Sequence, residues 1–387
     1  MKFLKNNVCA PKGFKAVAKT VGLKKSGKPD LTLIYCEVLA NSAAVYTQNN
    51  VKGAPLIVTR NHLKDGRAQA IVVNSGVANV CTGKKGIKDA IETAKCAAKE
   101  LGIETKNIVV ASTGLIGAYL PMNRIKEGLK GIKQRLSVSS NAAAGIMTTD
   151  KIRKEIAIKV DNFNIGAIAK GSGMIHPNMA TMLCFITNDA AVSPSKLQKF
   201  LRNSVSKSFN MISVDMDTST SDMAIIMANG LAGKVNEAKF QEALDYVCID
   251  LAKKIATDGE GATKLVEVHV KNALTQEDAN KIAKSIITSN LVKCALFGND
   301  PNWGRILCAM GNSGAKFKQN MVDVYFGDEN IVKNGVSNGF DYKKVKQIMA
   351  KNILDVTIDL NIGKNDSTAY GCDMSYDYVK INAAYTT

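Results

Sequence analysis

The stretch from Ala169 to Thr187 constrains this chain most, because it joins a glycine-rich turn to an apolar run. The two glycines near its start permit backbone conformations that other residues avoid, and its Pro-Asn pair is typical of a turn. Residues 181–187 are rich in β-formers and predict a buried strand. Thr181 therefore stands where a strained turn meets a strand, a position suited to a nucleophile. Taken alone, the local pattern more often marks an ordinary β-branched residue that opens a strand.

The composition indicates a folded protein with a large core. The chain has 387 residues, of which 46% are hydrophobic and 22% are charged, and this length suits about two domains. No apolar run is long enough to cross a membrane, and the N-terminus lacks the apolar core of a signal peptide. We therefore expect a cytoplasmic protein without a membrane partner.

The cysteines, histidines and clustered acids predict no metal site. Nine cysteines are scattered without a CxxC pair, and only three histidines are present. Several cysteines lie in apolar segments, which indicates reduced thiols in a reducing compartment, and no zinc-ligand spacing appears. Residues 212–222 concentrate hydroxyls and carboxylates, but their spacing fits no calcium loop. A polar loop beside the functional site is the simpler interpretation of this segment.

The formal net charge of +17 raises the alternative of a nucleic-acid-binding protein, because lysines attract phosphates. The lysines are spread along the chain, and no basic block interleaved with aromatics or known binding motif is present. We therefore expect no nucleic-acid partner. A salt-sensitive DNA shift would favour this alternative.

Alternating strand and helix patterns run along the chain. Residues 86–101 carry an amphipathic stripe that predicts a helix, and the glycine after it is a natural stop. Thr275 followed by early acids predicts another helix start, and we expect that helix to run to Leu296. The remaining predicted elements are a helix at 236–256, a helix start at Ser193-Pro194, and strands at 30–39, 43–47, 69–74, 108–112, 155–160, 264–270, 321–326 and 355–362.

A contiguous motif around Thr181 resembles a known family. Residues 170–183 read Lys-Gly-Ser-Gly-Met-Ile-His-Pro-Asn-Met-Ala-Thr-Met-Leu. This string is similar to the self-cleavage segment of the ornithine acetyltransferase (glutamate N-acetyltransferase) family of arginine biosynthesis, although His176 stands where the family more often has Ala. The resemblance implies cleavage between Ala180 and Thr181. It spans essentially the whole chain through further motifs at 52–55, 74–79, 112–114, 146–150, 258–261 and 382–387.

The resemblance also implies roles for particular residues. Thr113 and Gly114 would form the oxyanion hole, and Thr181 would be the catalytic nucleophile. Substrate-binding roles are implied for Thr148, Lys170, Thr181, Glu260, Asn382 and Thr387. From the residue pattern alone, each of these positions also suits a plain turn, a helix cap, a solvated loop or a frayed terminus. Thr149 competes with its neighbour Thr148 for the same role.

The implied activity is an acyl transfer with one covalent intermediate. Cleavage would free the α-amino group of Thr181, with an ordinary pKa of roughly 8, to take the hydroxyl proton. By resemblance, acetyl moves from N2-acetyl-L-ornithine to Thr181 and then to L-glutamate. This requires no cofactor, but some family members also take acetyl from acetyl-CoA, so that donor stays open here. The nearest alternative is a self-processing N-terminal-nucleophile amidase or aminopeptidase, in which water takes the acyl group.

The resemblance implies the fold and the assembly as well. We expect an α/β protein built as a layered α-β-β-α sandwich of the ornithine acetyltransferase and L-aminopeptidase type. Its catalytic domain would cover residues 1–275, cleaved between 180 and 181. A smaller C-terminal α+β domain would cover residues 276–387, with its tail returning to the active site. Two α and two β chains would associate into one assembly.

Overall fold

The computed structural model describes residues 1–176 and 182–384. The strands within these ranges are β1 (Lys2–Phe3), β2 (Phe14–Lys19), β3 (Leu31–Tyr46), β4 (Arg67–Val77), β5 (Ile108–Leu115), β6 (Lys154–Val160), β7 (Phe163–Lys170), β8 (Leu183–Ala190), β9 (Ile212–Ser213), β10 (Met223–Gly233), β11 (Leu265–Ala273), β12 (Asp323–Phe326), β13 (Glu329–Lys333), β14 (Val336–Ser337), β15 (Ile353–Asp359) and β16 (Asn365–Cys372). The helices are α1 (Ala54–His62), α2 (Gly83–Leu101), α3 (Met122–Leu129), α4 (Ala142–Ile146), α5 (Pro194–Lys207), α6 (Glu237–Thr257), α7 (Gln276–Thr288), α8 (Asn290–Phe297), α9 (Trp303–Gly311), α10 (Tyr342–Met349) and α11 (Tyr376–Ala384).

The larger of two sheets has nine strands in the described residues. Eight follow the order β1-β6-β7-β8-β10-β3-β4-β5, and β2 pairs with β3. The central β8 pairs antiparallel with β7 and parallel with β10. Every residue of β8 is buried, as is usual for a strand that is covered on both faces.

The two faces of β8 belong to different parts of the core. Cys184 and Ile186 pack with apolar residues of α5 and α6, whereas Leu183 and Phe185 pack on the other face with residues that include those of α4. This alternation follows from the two-residue period of a strand. The side chains of β8 are therefore packed in the core from its first residue, Leu183, onward.

The smaller sheet has the order β14-β13-β12-β15-β11-β16-β9 in the described residues. The core on which α7, α8, α9 and α10 pack lies against this sheet, and α6 contacts strands of both sheets. Two helix-covered sheets give the mixed α/β architecture that the resemblance implies. β9 and β11 precede residue 275, so this sheet takes strands from both sides of the predicted domain boundary, which stays a prediction.

Two segments differ from their predicted form. The strands predicted at 30–39 and 43–47 are one strand, β3, because the intervening residues continue the ladder through an irregular register with β4. The helix predicted from Thr275 to Leu296 breaks at Ser289 into α7 and α8. Ser289 is extended, and its hydroxyl accepts the Val292 N–H at 3.4 Å, so it caps a second helix.

Within the described residues, no helix is long and apolar enough to cross a membrane.

Candidate functional site

A cavity of about 150 Å³ lies where the ends of β5 and β7 meet the start of β8 and the loop before β10. Six of the residues predicted from the sequence line it: Thr113, Gly114, Thr148, Lys170, Glu260 and Asn382. Thr149 also lines the cavity, so both threonines of that pair can reach a ligand. The fold thus gathers residues from distant parts of the sequence into one site.

The predicted cleavage site borders this cavity in sequence. Ala180, Thr181 and Thr387 lie outside the described residues. Ile175 and Met182, which lie close to the cleavage segment in sequence on either side, contribute to the cavity wall.

Gly114 lies where β5 passes very close to β4. It pairs with Gly76 in a parallel register, and its φ of +124° is a conformation that other residues rarely adopt. A Cβ on Gly114 would lie 2.4 Å from the backbone carbon of Gly76, so a side chain is excluded. A glycine is therefore required at this point, where the backbone reaches the cavity wall.

Lys170 links the predicted oxyanion residues to a group of acids. Its ammonium donates a hydrogen bond to the Thr113 hydroxyl at 3.2 Å. Burial lowers the pKa of Lys170, while the nearby carboxylates of Asp150, Asp222 and Glu260 act in the opposite direction. These carboxylates favour the charged ammonium, the form that can pair with a ligand carboxylate.

Asp150 accepts hydrogen bonds from two backbone segments beside the cavity. Its Oδ2 accepts the Thr148 N–H at 2.9 Å, and its Oδ1 accepts the Gly171 N–H at 2.7 Å. The Lys154 ammonium lies 2.7 Å from Oδ1 and has no solvent exposure. Burial would raise the pKa of Asp150, but the charges of Lys154 and Lys170 outweigh it and hold the pKa at about 2. This carboxylate therefore joins the backbone of Thr148 to the backbone that follows Lys170, and both of these residues line the cavity.

A second carboxylate completes that buried network. The Lys154 ammonium also lies 2.5 Å from Asp258, whose Oδ2 accepts the backbone N–H groups of Lys151 and Ile152. A buried charge of this kind is tolerated only when it is paired and hydrogen-bonded. The sequence motifs contain both aspartates, but no sequence pattern predicts that Lys154 joins them.

Glu260 reaches the cavity through a close approach to Gly173. A Cβ on Gly173 would lie 2.4 Å from the Glu260 carboxyl, so a side chain at position 173 would displace that carboxyl. The Glu260 N–H donates to the Ser172 carbonyl at 2.9 Å, and the Asn382 amide donates to Glu260 Oε2 at 2.9 Å. The C-terminal helix α11, which carries Asn382, thereby contributes directly to the site.

The polar segment 212–222 lies beside the site, as the sequence predicts. Ser219, Thr220, Ser221 and Asp222 line the cavity. The sequence could not show which residues of the segment line the cavity. Six of its last seven residues carry a hydroxyl or carboxylate group, and these residues show no periodicity. Asp222 is the titratable group among the four, and it lies 4% exposed.

Two other features of the described residues lie apart from this chemistry. A wider groove of about 890 Å³ runs beside α1, but it is lined by none of the predicted catalytic or substrate-binding residues that the structure describes. Glu267, His269 and Asp355 form a cluster on the smaller sheet that could hold a metal ion. The Lys253 ammonium already lies 2.8 Å from Glu267, and none of the three lines the cavity.

The cavity combines the groups that acyl transfer to or from an amino acid requires. Hydroxyl and backbone donors at Thr113 and Gly114 can stabilise an oxyanion. One cation, Lys170, can bind a carboxylate, and two acids, Asp222 and Glu260, can bind or deprotonate an amine.

Comparisons with known proteins agree with this chemistry. The model of the ArgJ family matches residues 15–387. An arginine biosynthesis bifunctional protein ArgJ from Symbiobacterium thermophilum is 47% identical, and one from Listeria monocytogenes serotype 4b is 45% identical, each over 100% of both chains. A solved structure of the Bacillus halodurans protein of that name is 42% identical, with a TM-score of 0.50 over 51% of this chain and 97% of that chain.

The family match and the two full-length relatives confirm the resemblance that the sequence motifs carry. The chain therefore belongs to the ArgJ family of arginine biosynthesis.

Proposed function

We propose that this protein is an acetyltransferase of arginine biosynthesis that moves acetyl from N2-acetyl-L-ornithine to L-glutamate through an acetyl-Thr181 intermediate. One observation carries the proposal: six residues that the family motifs single out line one cavity, whose wall includes Met182, the residue after Thr181. Family membership supports this activity over the self-processing amidase or aminopeptidase alternative.

The charges of the cavity suit amino-acid substrates. Lys170 offers an ammonium to the substrate carboxylate, and the hydroxyl groups of Thr148 and Thr149 offer neutral hydrogen bonds. Glu260, held by the Asn382 amide at 2.9 Å, offers a carboxylate to a substrate ammonium. A site that holds a cation and two acids discriminates against the wrong ligand, because buried polar groups stay unpaired when that ligand enters.

In the proposed cycle, the Thr181 hydroxyl attacks the acetyl carbonyl, and Thr113 and Gly114 stabilise the resulting oxyanion. Loss of one such donor typically costs about 3 to 4 kcal/mol in the transition state. Ornithine leaves, and glutamate attacks the acetyl ester. The free α-amine of Thr181 acts as the base for its own hydroxyl, which requires cleavage of the Ala180–Thr181 bond. The transfer needs no cofactor, and acetyl-CoA is an additional candidate donor.

The proposed assembly contains two α chains (residues 1–180) and two β chains (residues 181–387). We propose a cytoplasmic location, which is supported by the nine cysteines: all are free thiols in the structure, as is usual in a reducing compartment.

Intact mass under denaturing conditions, beside a Thr181→Ala variant, tests the processing. We expect two fragments that break at Ala180–Thr181 from the natural sequence and one chain from the variant. A single chain that still transfers acetyl would contradict the role of the Thr181 amine. Product analysis with and without glutamate then tests the acceptor. N-acetylglutamate is the expected product, whereas release of acetate at the same rate in both cases would support the hydrolase.

A further inference from the structure

Asp222 is a buried carboxyl group in the cavity that the proposed cycle has not used. Its Oδ2 is inaccessible to solvent and has no hydrogen-bond partner within the described part of the chain. An unpaired buried acceptor costs about 1 to 3 kcal/mol. Such groups are rare in native proteins, and each of them calls for a structural or functional explanation. Here the group lies on the wall of the candidate active site.

The backbone holds Asp222 firmly at this place. Its carbonyl accepts the Thr47 N–H at 3.0 Å, and the Thr47 hydroxyl donates to the Ser219 carbonyl at 2.8 Å. The next residue, Met223, donates its N–H to the Met182 carbonyl at 2.9 Å. Through its neighbour Met223, Asp222 is thus tied to Met182, the residue that follows the proposed nucleophile in sequence.

The surroundings of Asp222 suit a group that gains and loses a proton. Burial raises its pKa well above the usual range, while the Ser219 side chain and the Lys170 charge favour the ionised form. The other charged groups that face it across the cavity are Lys170 at the end of β7 and Glu260 after α6, and Asp150 lies near Lys170. Enzymes raise the pKa of carboxyl groups by burial when these groups act as general acids or bases.

Acetyl exchange between amino acids creates a need for such a group. Glutamate arrives with a protonated amine, which must lose a proton before its nitrogen can attack the acetyl ester. Ornithine leaves with a neutral amine, which regains a proton. The Thr181 amine already handles the hydroxyl proton, so one further proton must be taken up in one half-reaction and returned in the other.

We propose that Asp222 is a further catalytic residue, and that it carries this proton between the two half-reactions. This inference rests on the proposed acetyltransferase function. The Asp222 carboxylate takes a proton from the glutamate ammonium, and the amine nitrogen then bonds to the acetyl carbon. As the bond from that carbon to Thr181 Oγ breaks, the second amine proton passes to the threonine oxygen. In the next cycle the Asp222 carboxylic acid protonates the departing ornithine amine, which restores the carboxylate.

An acceptor that needs no deprotonation separates this role from a structural one. The acetyl-enzyme is formed with p-nitrophenyl acetate, whose leaving group needs no proton, and its decay is followed by intact mass after addition of glutamate or hydroxylamine. Hydroxylamine is mostly uncharged near neutral pH. In Asp222→Asn we expect decay with glutamate to slow by about 10²–10⁴-fold, and decay with hydroxylamine to stay within a few-fold of the unsubstituted enzyme.

Asp217→Asn is the matched control, because Asp217 is an exposed carboxyl of the same loop that does not line the cavity. Equal slowing with both acceptors in Asp222→Asn, or no slowing with glutamate, would overturn the inference. If Asp222→Asn blocks cleavage, residues 1–180 and 181–387 are co-expressed with the substitution in the second chain, and loss of hydroxylamine transfer there would also overturn it. An unsubstituted enzyme that transfers no acetyl to glutamate would instead refute the proposed function.

Discussion

At the scale of single residues, the sequence motifs predicted several residues of the site. They did not predict the buried charged residues Lys154 and Asp222. Thr113, Lys170 and Glu260 belong to recognisable strings, and the structure places all three on one cavity wall. Lys154 and Asp222 carry no such signal. Their significance comes from burial and from electrostatic interactions with residues about 100 and 50 positions away, which no local pattern encodes.

The buried Lys154 gives a direct test of the network beneath the site. Lys154→Met leaves Asp150 and Asp258 buried without their shared counter-charge, so we expect the free energy of unfolding to fall by about 3 to 5 kcal/mol. Chemical denaturation of the uncleaved Thr181→Ala background measures it. Lys159→Met, at an exposed position of the same strand, should change stability by less than about 0.5 kcal/mol. Equal effects of the two substitutions would show that the network contributes nothing.

The pH dependence of stability has an identifiable source in His176. Burial, with a smaller contribution from the Lys284 charge, lowers the pKa of His176 to about 4, against roughly 6.5 in an unfolded chain. Between these values the unfolded chain binds a proton that the native protein does not, so stability falls as pH drops from 6.5 to 4.

His176→Gln should reduce that loss. The measurement compares the free energy of unfolding at pH 7 and pH 4.5 in the uncleaved Thr181→Ala background, with and without the substitution. The contributions of all other groups are common to both proteins and cancel. An unchanged difference between the two pH values would show that His176 titrates normally in the native state.

At the scale of elements, periodicity predicted the amphipathic helices well and the buried strands less well. α2 and α6 agree with their predicted ranges within a few residues, because one apolar stripe faces the core. β10 was not predicted, because its first six residues are all buried and a continuous apolar run does not distinguish a strand from a helix. The helix predicted to run to Leu296 is interrupted at Ser289. A serine inside a helical pattern can be an interior residue or a helix cap, and its tertiary contacts decide between the two.

The crossing of β4 and β5 predicts a strong effect of Gly114→Ala. A Cβ there would lie 2.4 Å from the Gly76 backbone, which the sheet holds in place, so we expect the strands to separate, with a large loss of stability and of oxyanion stabilisation. Gly117→Ala is the control, because Gly117 also has a positive φ of +85° but has open space around it.

Strain alone should cost Gly117→Ala about 1 to 2 kcal/mol. Denaturation midpoints and acetyl-transfer rates of the two variants measure the difference. Similar midpoints would show that backbone conformation, and not the close approach of the strands, requires a glycine at position 114.

At the scale of the whole molecule, the family and fold class implied by the motifs are confirmed, but the strand order was not accessible to the sequence. β8 and β10 follow the proposed cleavage point, and they lie between β7 and β3, which precede it. Contacts of this kind join residues far apart in sequence. Their arrangement depends on which faces can be buried together, and this is not a local property of any segment.

This interleaving predicts that the two cleavage products stay together. The ladders β7–β8 and β3–β10 would each join one product to the other, and the core around β8 is shared. We therefore expect both fragments to co-elute in native size-exclusion chromatography and to separate only in denaturant. Elution of either fragment alone under native conditions would contradict the expectation.

The same strand order would make folding a different reaction before and after the proposed cleavage. An intact chain returns to its native state by itself, at a rate independent of its concentration. Once the connection before β8 is cut, recovery requires two polypeptides to meet and insert strands into a common sheet, so its rate depends on their concentration. An enzyme matured in this way leaves its native state much more easily than it regains it, and its working lifetime is governed by its rate of unfolding.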